Sequence, residues 1–249
     1  MSHSEDAQLI LVMNELDAIN FCKMGYEKPG CKVIAFDSEF LASEDPLIVH
    51  LKKENLLVEN NVLVKNPNSS DVRYYLLEDA SRQIHTDYFK QYAKIMGLLG
   101  ATSVSVEECS VIDEKNSTKG SGEVGINGLG GKGSGQSTGN SNVQAMMKLR
   151  ETFEPKFNLS QAKKLIEEFS LQNDKELSDF VKAVEAGARH KNYEFDLELS
   201  KKLQKVFNLA ASINPYAGID IKATIDRKKD IVESYKLHVR VEFNNSRTS

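Results

Sequence analysis

Two acidic residues, Asp37 and Glu39, stand one residue apart in the segment VIAFDSEF, whose alternation of apolar and polar residues predicts a β-strand. Side chains two positions apart on a strand share one face. Both carboxylates would therefore point the same way, and carboxylate oxygens are the ligands that divalent cations prefer. Asp37 and Glu39 are the candidate metal ligands of this chain. The alternative interpretation is a half-exposed strand whose acids lie in water.

The Asp-x-Glu pattern of Asp37 and Glu39 resembles the first motif of the DEDD-type 3′–5′ exonucleases, the family of ribonuclease D. Tyr75 and Asp79, in YYLLED, resemble the Tyr-x-x-x-Asp of that family's last motif. The resemblance covers these few residues and implies a metal-dependent nuclease that uses Asp37 and Glu39. A nuclease is the second alternative function.

A glycine-rich stretch lies between residues 116 and 142 and holds nine of the chain's 15 glycines. Its GINGLGGKGSG segment invites comparison with a phosphate-binding loop, but Lys132 lacks the glycine required at position 126 and the Ser or Thr required at position 133. Glycine is costly to order, so we predict a flexible hairpin tip. The candidate partner-binding residues in this tip are Lys119, Gly128, Gly130, Gly131 and Lys132.

The sequence offers no other candidate residues for catalysis. The five histidines are scattered without a zinc-binding spacing, and the three cysteines form no C-x-x-C pair. We therefore predict no catalytic residue and no cofactor, and a non-catalytic protein is favoured over an enzyme.

The charge balance argues against a nucleic-acid partner. The chain of 249 residues carries a formal net charge of −4 and therefore no global basic field.

The start of the sequence, MSHSEDAQ, is polar where a signal peptide needs a basic end and an apolar core, and no uncharged apolar run reaches the length of a membrane span. A soluble, cytoplasmic protein is expected.

Hydrophobic periodicity predicts the elements that must position these residues. Helical spacing predicts helices over residues 7–21, 78–99, 159–169, 177–187 and 199–210. Alternation predicts strands over residues 33–40, 47–51, 62–65, 102–112, 143–153, 219–225 and 237–243. Asn158 and Asp174 are predicted helix N-caps, and Gly100 and Gly187 are predicted helix ends.

These elements predict an α+β fold. The strands at 102–112 and 143–153 flank the glycine-rich loop 116–142 as one long hairpin, and those at 219–225 and 237–243 form a second. The two hairpins would share one antiparallel sheet with helices packed on one face. Residues 1–75 would form a small N-terminal α/β lobe, and residues 76–249 the helix-hairpin domain.

The favoured function is the binding of a macromolecular partner, expected to be a protein, through the sheet edge or the glycine-rich loop. The alternative is a membrane-active protein: the long hairpin is similar in outline to those that gasdermins and perforin-like toxins extend into membranes. In such proteins lipid-facing strands need apolar groups at alternate positions. The sequence leaves the partner's identity and the oligomeric state open.

Overall fold

The computed structural model describes residues 7–37, 42–67, 72–112, 142–154, 156–198, 200–213, 221, 225 and 234–243. The strands are β1 (Leu9–Met13), β2 (Cys31–Ala35), β3 (Val62–Lys65), β4 (Tyr74–Leu76), β5 (Ala101–Ile112), β6 (Arg150–Thr152), β7 (Asn192–Glu198) and β8 (Ser234–Phe243). The helices are α1 (Glu15–Lys23), α2 (Pro46–Lys53), α3 (Leu77–Leu98), α4 (Leu159–Glu168), α5 (Lys175–Glu185) and α6 (Ser200–Ile213). Helices pack against two mostly antiparallel sheets of four strands each, so the predicted α+β class is confirmed.

The chain divides into two compact units. The first consists of Met1–Ile84 with Lys201–Val232, and the second of His85–Ser200 with Glu233–Ser249. Each unit is therefore assembled from two separate stretches of sequence. The domain limits predicted from the sequence, 1–75 and 76–249, stay a prediction.

In the first unit the strand order is β2-β1-β3-β4, with β1 parallel to β2 and antiparallel to β3. All five residues of β1 are buried, as expected of a strand covered on both faces. Helix α1 supplies the crossover that two parallel strands require. Ile48 and Leu51 of α2 are buried in the same cluster as Ile10 and Val12 of β1, so α2 covers one face of this sheet.

The helix predicted over residues 7–21 was wrong in its first half. Residues 9–13 form β1, and the helix begins only at Glu15, after Asn14 accepts the Asp17 N–H at 2.9 Å. Five consecutive apolar residues fit a helical stripe as well as a buried strand, and burial on both sides selects the strand. Leu16, in the helical part of this segment, is 68% exposed.

The strand predicted over residues 47–51 was also wrong, because this segment is helix α2. Asp45 caps that helix by accepting the Leu47 N–H at 2.8 Å, and Pro46 occupies the first turn, where its missing N–H costs nothing. The strand at 62–65 is confirmed as β3, and the one at 33–40 is confirmed only as far as Ala35.

In the second unit the order is β6-β5-β8-β7, and every pairing is antiparallel. One face is apolar and buried, with Val104, Val106, Phe195, Leu197, Leu237, Val239 and Val241 among its members. Helices supply the aromatic rings that cover this face: Tyr92 of α3 stacks on Phe195, with ring centroids 5.3 Å apart, and Phe180 of α5 lies 4.4 Å from the ring of Tyr193.

Helix boundaries follow the predicted capping chemistry. Asn158 accepts the Gln161 N–H at 3.0 Å, and Asp174 accepts the Leu177 N–H at 2.9 Å. Gly100 and Gly187 adopt φ values of +98° and +88°, which glycine reaches without strain. The predicted helices at 78–99, 159–169, 177–187 and 199–210 are confirmed as α3, α4, α5 and α6.

Two predicted strands need correction. Residues 142–146 are helical, with the Met147 N–H donating to the Val143 oxygen, so only Arg150–Thr152 of the segment 143–153 pairs with β5. In the segment 219–225 the described residues, Ile221 and Ile225, are helical, and β8 pairs instead with β5 and β7. Isoleucines four apart share a helix face as well as a strand face, so alternation alone misled the assignment.

Within the described residues, no helix combines the length and the apolar composition needed to cross a bilayer.

Candidate functional site: the exposed edge strand of the second sheet

The predicted metal ligands are only partly within the described residues. Asp37 follows β2, and its N–H donates to the Ala35 oxygen at 3.1 Å, whereas Glu39 lies outside the described residues. Asp79 forms an ion pair with Arg82 at 3.1 Å. Among the residues that the structure describes, no group of three or more His, Cys, Asp or Glu side chains is arranged to hold a metal ion. The metal site therefore stays a prediction.

The predicted partner-binding residues of the glycine-rich loop lie outside the described residues. They are Lys119, Gly128, Gly130, Gly131 and Lys132. Their role stays a prediction as well.

The edge strand β7 presents its backbone to the outside of the second sheet. The Phe243 N–H donates to the Lys191 oxygen at 2.9 Å. The backbone carbonyl of Lys191 therefore points toward β8. Backbone groups alternate in direction along an antiparallel strand. The β7–β8 register runs without interruption from Asn192 to Glu198, so odd-numbered residues bond to β8. The N–H and C=O groups of Asn192, Glu194 and Asp196 consequently point away from the sheet.

The same three residues are exposed, whereas the odd-numbered residues of β7 are not. Tyr193 is half-buried, and Phe195 and Leu197 are buried against the helices. Strand order places β7 at the end of the sheet, and among the described residues β8 is its one strand neighbour. The anchored inner side holds β7 in an extended form. Among the described residues, no strand is paired with this row of backbone donors and acceptors.

On the outer face, Asp196 joins β7 to β8 by a three-residue ion cluster. Its carboxylate lies 2.8 Å from Lys236 Nζ and 2.9 Å from His238 Nδ1. Partial burial raises the pKa of Asp196, but the hydrogen bonds from Lys236 and His238 outweigh burial and bring this pKa below its ordinary value. The same hydrogen bond with Asp196 raises the pKa of His238, against a smaller opposing effect of burial.

His238 is surrounded by acids on both neighbouring strands. Its Nε2 lies 3.7 Å from Glu194 Oε2, and Glu108 of β5 stands opposite it in the sheet register. Both ring nitrogens thus face carboxylates, and neither is turned toward a nucleophile. This arrangement is typical of an electrostatic cluster rather than of a general base.

Helix α5 brings further acids to the inner side of the same edge. Burial raises the pKa of Tyr193, and the charges of Glu176, Asp174 and Asp179 raise it further. Asp174 is occupied structurally, because it caps α5 and accepts a hydrogen bond from the Tyr92 hydroxyl. Glu176 and Asp179 add negative charge beside the edge.

The first unit contains a cleft of about 1010 Å³ lined by residues of both signs of charge. Lys32 lies 3.8 Å from Asp45, whose other oxygen caps α2, and the Tyr74 hydroxyl donates to the Ala7 oxygen. These contacts already engage three of the polar side chains that line the cleft.

Sequence reasoning assigned no element to residues 192–198, although the signal was present. The segment NYEFDLE alternates Tyr193, Phe195 and Leu197 with Glu194, Asp196 and Glu198. That period of two is typical of a strand with one wet face. This alternation could therefore have predicted β7 from the sequence.

The fold and this site define a mixed α+β protein that carries an accessible, negatively charged edge strand. Comparisons of the chain with protein-family models, with curated proteins and with solved structures found no match.

Proposed function

We propose that this protein is a non-catalytic binding protein that holds an extended segment of a partner protein by strand addition at β7. The observation that carries the proposal is the row of outward-facing backbone groups at Asn192, Glu194 and Asp196. In strand addition, main-chain hydrogen bonds supply affinity and alternate side chains supply selectivity.

The spacing of this row suits a partner strand. Residues two apart in an antiparallel strand are separated by about 6.8 Å, so every second residue of an added strand would bond with β7. Three residues offer three donors and three acceptors. At a net ~0.5–1.5 kcal/mol for each hydrogen bond, the row supports a measurable but reversible association.

Proteins usually protect an exposed edge strand against uncontrolled pairing, and β7 carries such protection in its charges. Glu194 and Asp196 have their side chains on its outer face, whereas their backbone groups lie in the plane of the sheet. By contrast, the opposite edge strand, β6, has only three residues. The edge with the longer accessible backbone is therefore β7.

The test uses a phage-displayed library of linear heptapeptides as the probe. Selection on the wild-type protein should enrich peptides whose affinity for Glu194→Pro is at least about tenfold lower, or about 1.4 kcal/mol weaker, than their affinity for Glu194→Gln. Proline removes the outward N–H of residue 194 without touching the β8 ladder, and edge strands tolerate proline. Glutamine keeps that N–H and is the matched control.

Asn192→Pro, at the first residue of the strand, is a second blocking variant in case Glu194→Pro does not fold. Far-UV circular dichroism establishes which variants are folded. Selected peptides that bind folded proline variants as tightly as the wild type would overturn the proposal, as would a selection that enriches no peptide above background.

A further inference from the structure

We propose that the segment accepted by β7 is basic, with Lys or Arg at alternate positions facing Glu194 and Asp196; this inference rests on the proposed function. A strand added to an edge places every second side chain on the outer sheet face. Cross-strand neighbours there lie about 4.5–5.5 Å apart at Cβ, close enough for opposite charges to attract. The side chains of β7 that such residues would meet are carboxylates.

The two carboxylates differ in how far their charge is already compensated. Asp196 has Lys236 at 2.8 Å and His238 at 2.9 Å. Glu194 is 52% exposed, and its described ion-pair partner is the second nitrogen of the same imidazole at 3.7 Å. Arg240 stands opposite Glu194 in the β7–β8 register, but its described ion-pair partner is Glu242, 3.5 Å away. Glu194 is therefore the carboxylate with the most capacity to attract a new cation.

The inner side of the edge has the same sign of charge. Glu176 and Asp179 of α5 act on the Tyr193 hydroxyl, which lies on the face of β7 opposite to Glu194. Asp179 has Lys182 at 3.9 Å, a loose and exposed pair. A cationic segment running along β7 would consequently meet Glu194 and Asp196 on the outer face, and the charges of Glu176 and Asp179 would favour it from the side of α5.

Charge also disfavours the pairing of β7 with the β7 strand of a second copy of this chain. Two β7 strands pairing antiparallel through their outward backbone groups would bring even-numbered residues of both copies together. The outer face would then place Glu194, Asp196 and Glu198 against the same acids of the partner copy. Like charges on neighbouring strands are destabilising. The acids therefore oppose self-pairing while admitting a basic strand.

The test measures fluorescence anisotropy of three labelled peptides of equal length, in which threonine alternates with lysine, glutamine or glutamate. The lysine peptide should bind about tenfold more tightly than the glutamine peptide at about 0.05 M salt, and the difference should shrink at about 0.3 M salt as screening increases. Glu194→Gln should reduce the lysine preference several-fold and leave the affinity for the glutamine peptide unchanged. Glu168→Gln, an exposed acid on α4, is the matched control and should change neither.

The outcomes separate this inference from the proposed function. Equal binding of all three peptides, lost in Glu194→Pro, would overturn the basic preference and leave strand addition standing. No binding by any peptide, together with an empty heptapeptide selection, would overturn both. A dimer in sedimentation velocity that becomes monomeric in Glu194→Pro would assign the edge to a second copy and overturn the basic partner.

Discussion

Replacing Gly97 with alanine should destabilise the second unit even though alanine is the better helix former. Gly97 lies within α3, where alanine gains about 0.8–1 kcal/mol over glycine. A Cβ at this position would stand 2.7 Å from Cδ1, 2.8 Å from Cγ and 3.0 Å from Cε1 of Phe153, well inside contact distance. Overpacking of this kind costs about 1–3 kcal/mol. We expect a net loss of about 1 kcal/mol in the free energy of unfolding.

The Phe153 backbone is held in place, so the ring could move away from a Cβ at position 97 only by rotating about its side-chain bonds. The Phe153 N–H donates to the Thr102 oxygen at 2.9 Å, which holds the residue beside β5. Glycine at position 97 therefore serves as the flat surface on which the ring lies.

The measurement is urea unfolding of the two single variants and the double variant, followed by far-UV circular dichroism. In the Phe153→Ala background the clash is gone, so Gly97→Ala should now stabilise by about 0.5–1 kcal/mol. This change of sign is the decisive result. If Gly97→Ala stabilised the protein equally with Phe153 present, the close approach of ring and helix would be refuted.

Two further predictions concern the polar contacts of the second unit. Tyr92→Phe removes the hydroxyl that donates to Asp174 and should lower the free energy of unfolding, measured in urea, by about 1.5–3 kcal/mol. In an Asp174→Ala background this loss should be much smaller. An unchanged loss would contradict the hydrogen bond between the two residues. Because the folded-state pKa of His238 is raised, its stabilising contribution is full below the unfolded value of about 6.5 and is lost as the pH rises through the folded-state pKa. His238→Gln should therefore destabilise by about 0.2–1 kcal/mol near pH 5.5 and by almost nothing near pH 8.5, and a cost that grew with pH would refute this assignment.

Helix ends were predictable from the sequence because their chemistry is local. Asn158 and Asp174 each satisfy a backbone N–H three residues further on, and Gly187 supplies the positive φ that ends α5. None of these contacts depends on distant parts of the chain. The predicted bounds of α4 and α5 accordingly match the structure closely.

Elements whose identity depends on burial were not predictable in the same way. The run LILVM fits helical spacing, but tertiary packing buries all five residues and makes it β1. The opposite error arose at α2, where a short apolar run was interpreted as a strand although Asp45 and Pro46 supply a helix start. Pairing partners are non-local too: β7 and β8 are neighbours in the sheet but are separated by α6 in the chain.

The two edges of the second sheet show why charge, rather than shape, would determine what binds there. One edge strand, β6, is limited by its length of three residues, so it offers little backbone to a partner of any charge. The other, β7, has seven residues and carries acids at alternate positions. Carboxylates discourage pairing with apolar or acidic strands, but they cannot remove the outward N–H and C=O groups. If a basic strand binds β7 as proposed, the same carboxylates would attract it, and the charges that protect this edge would also select its partner.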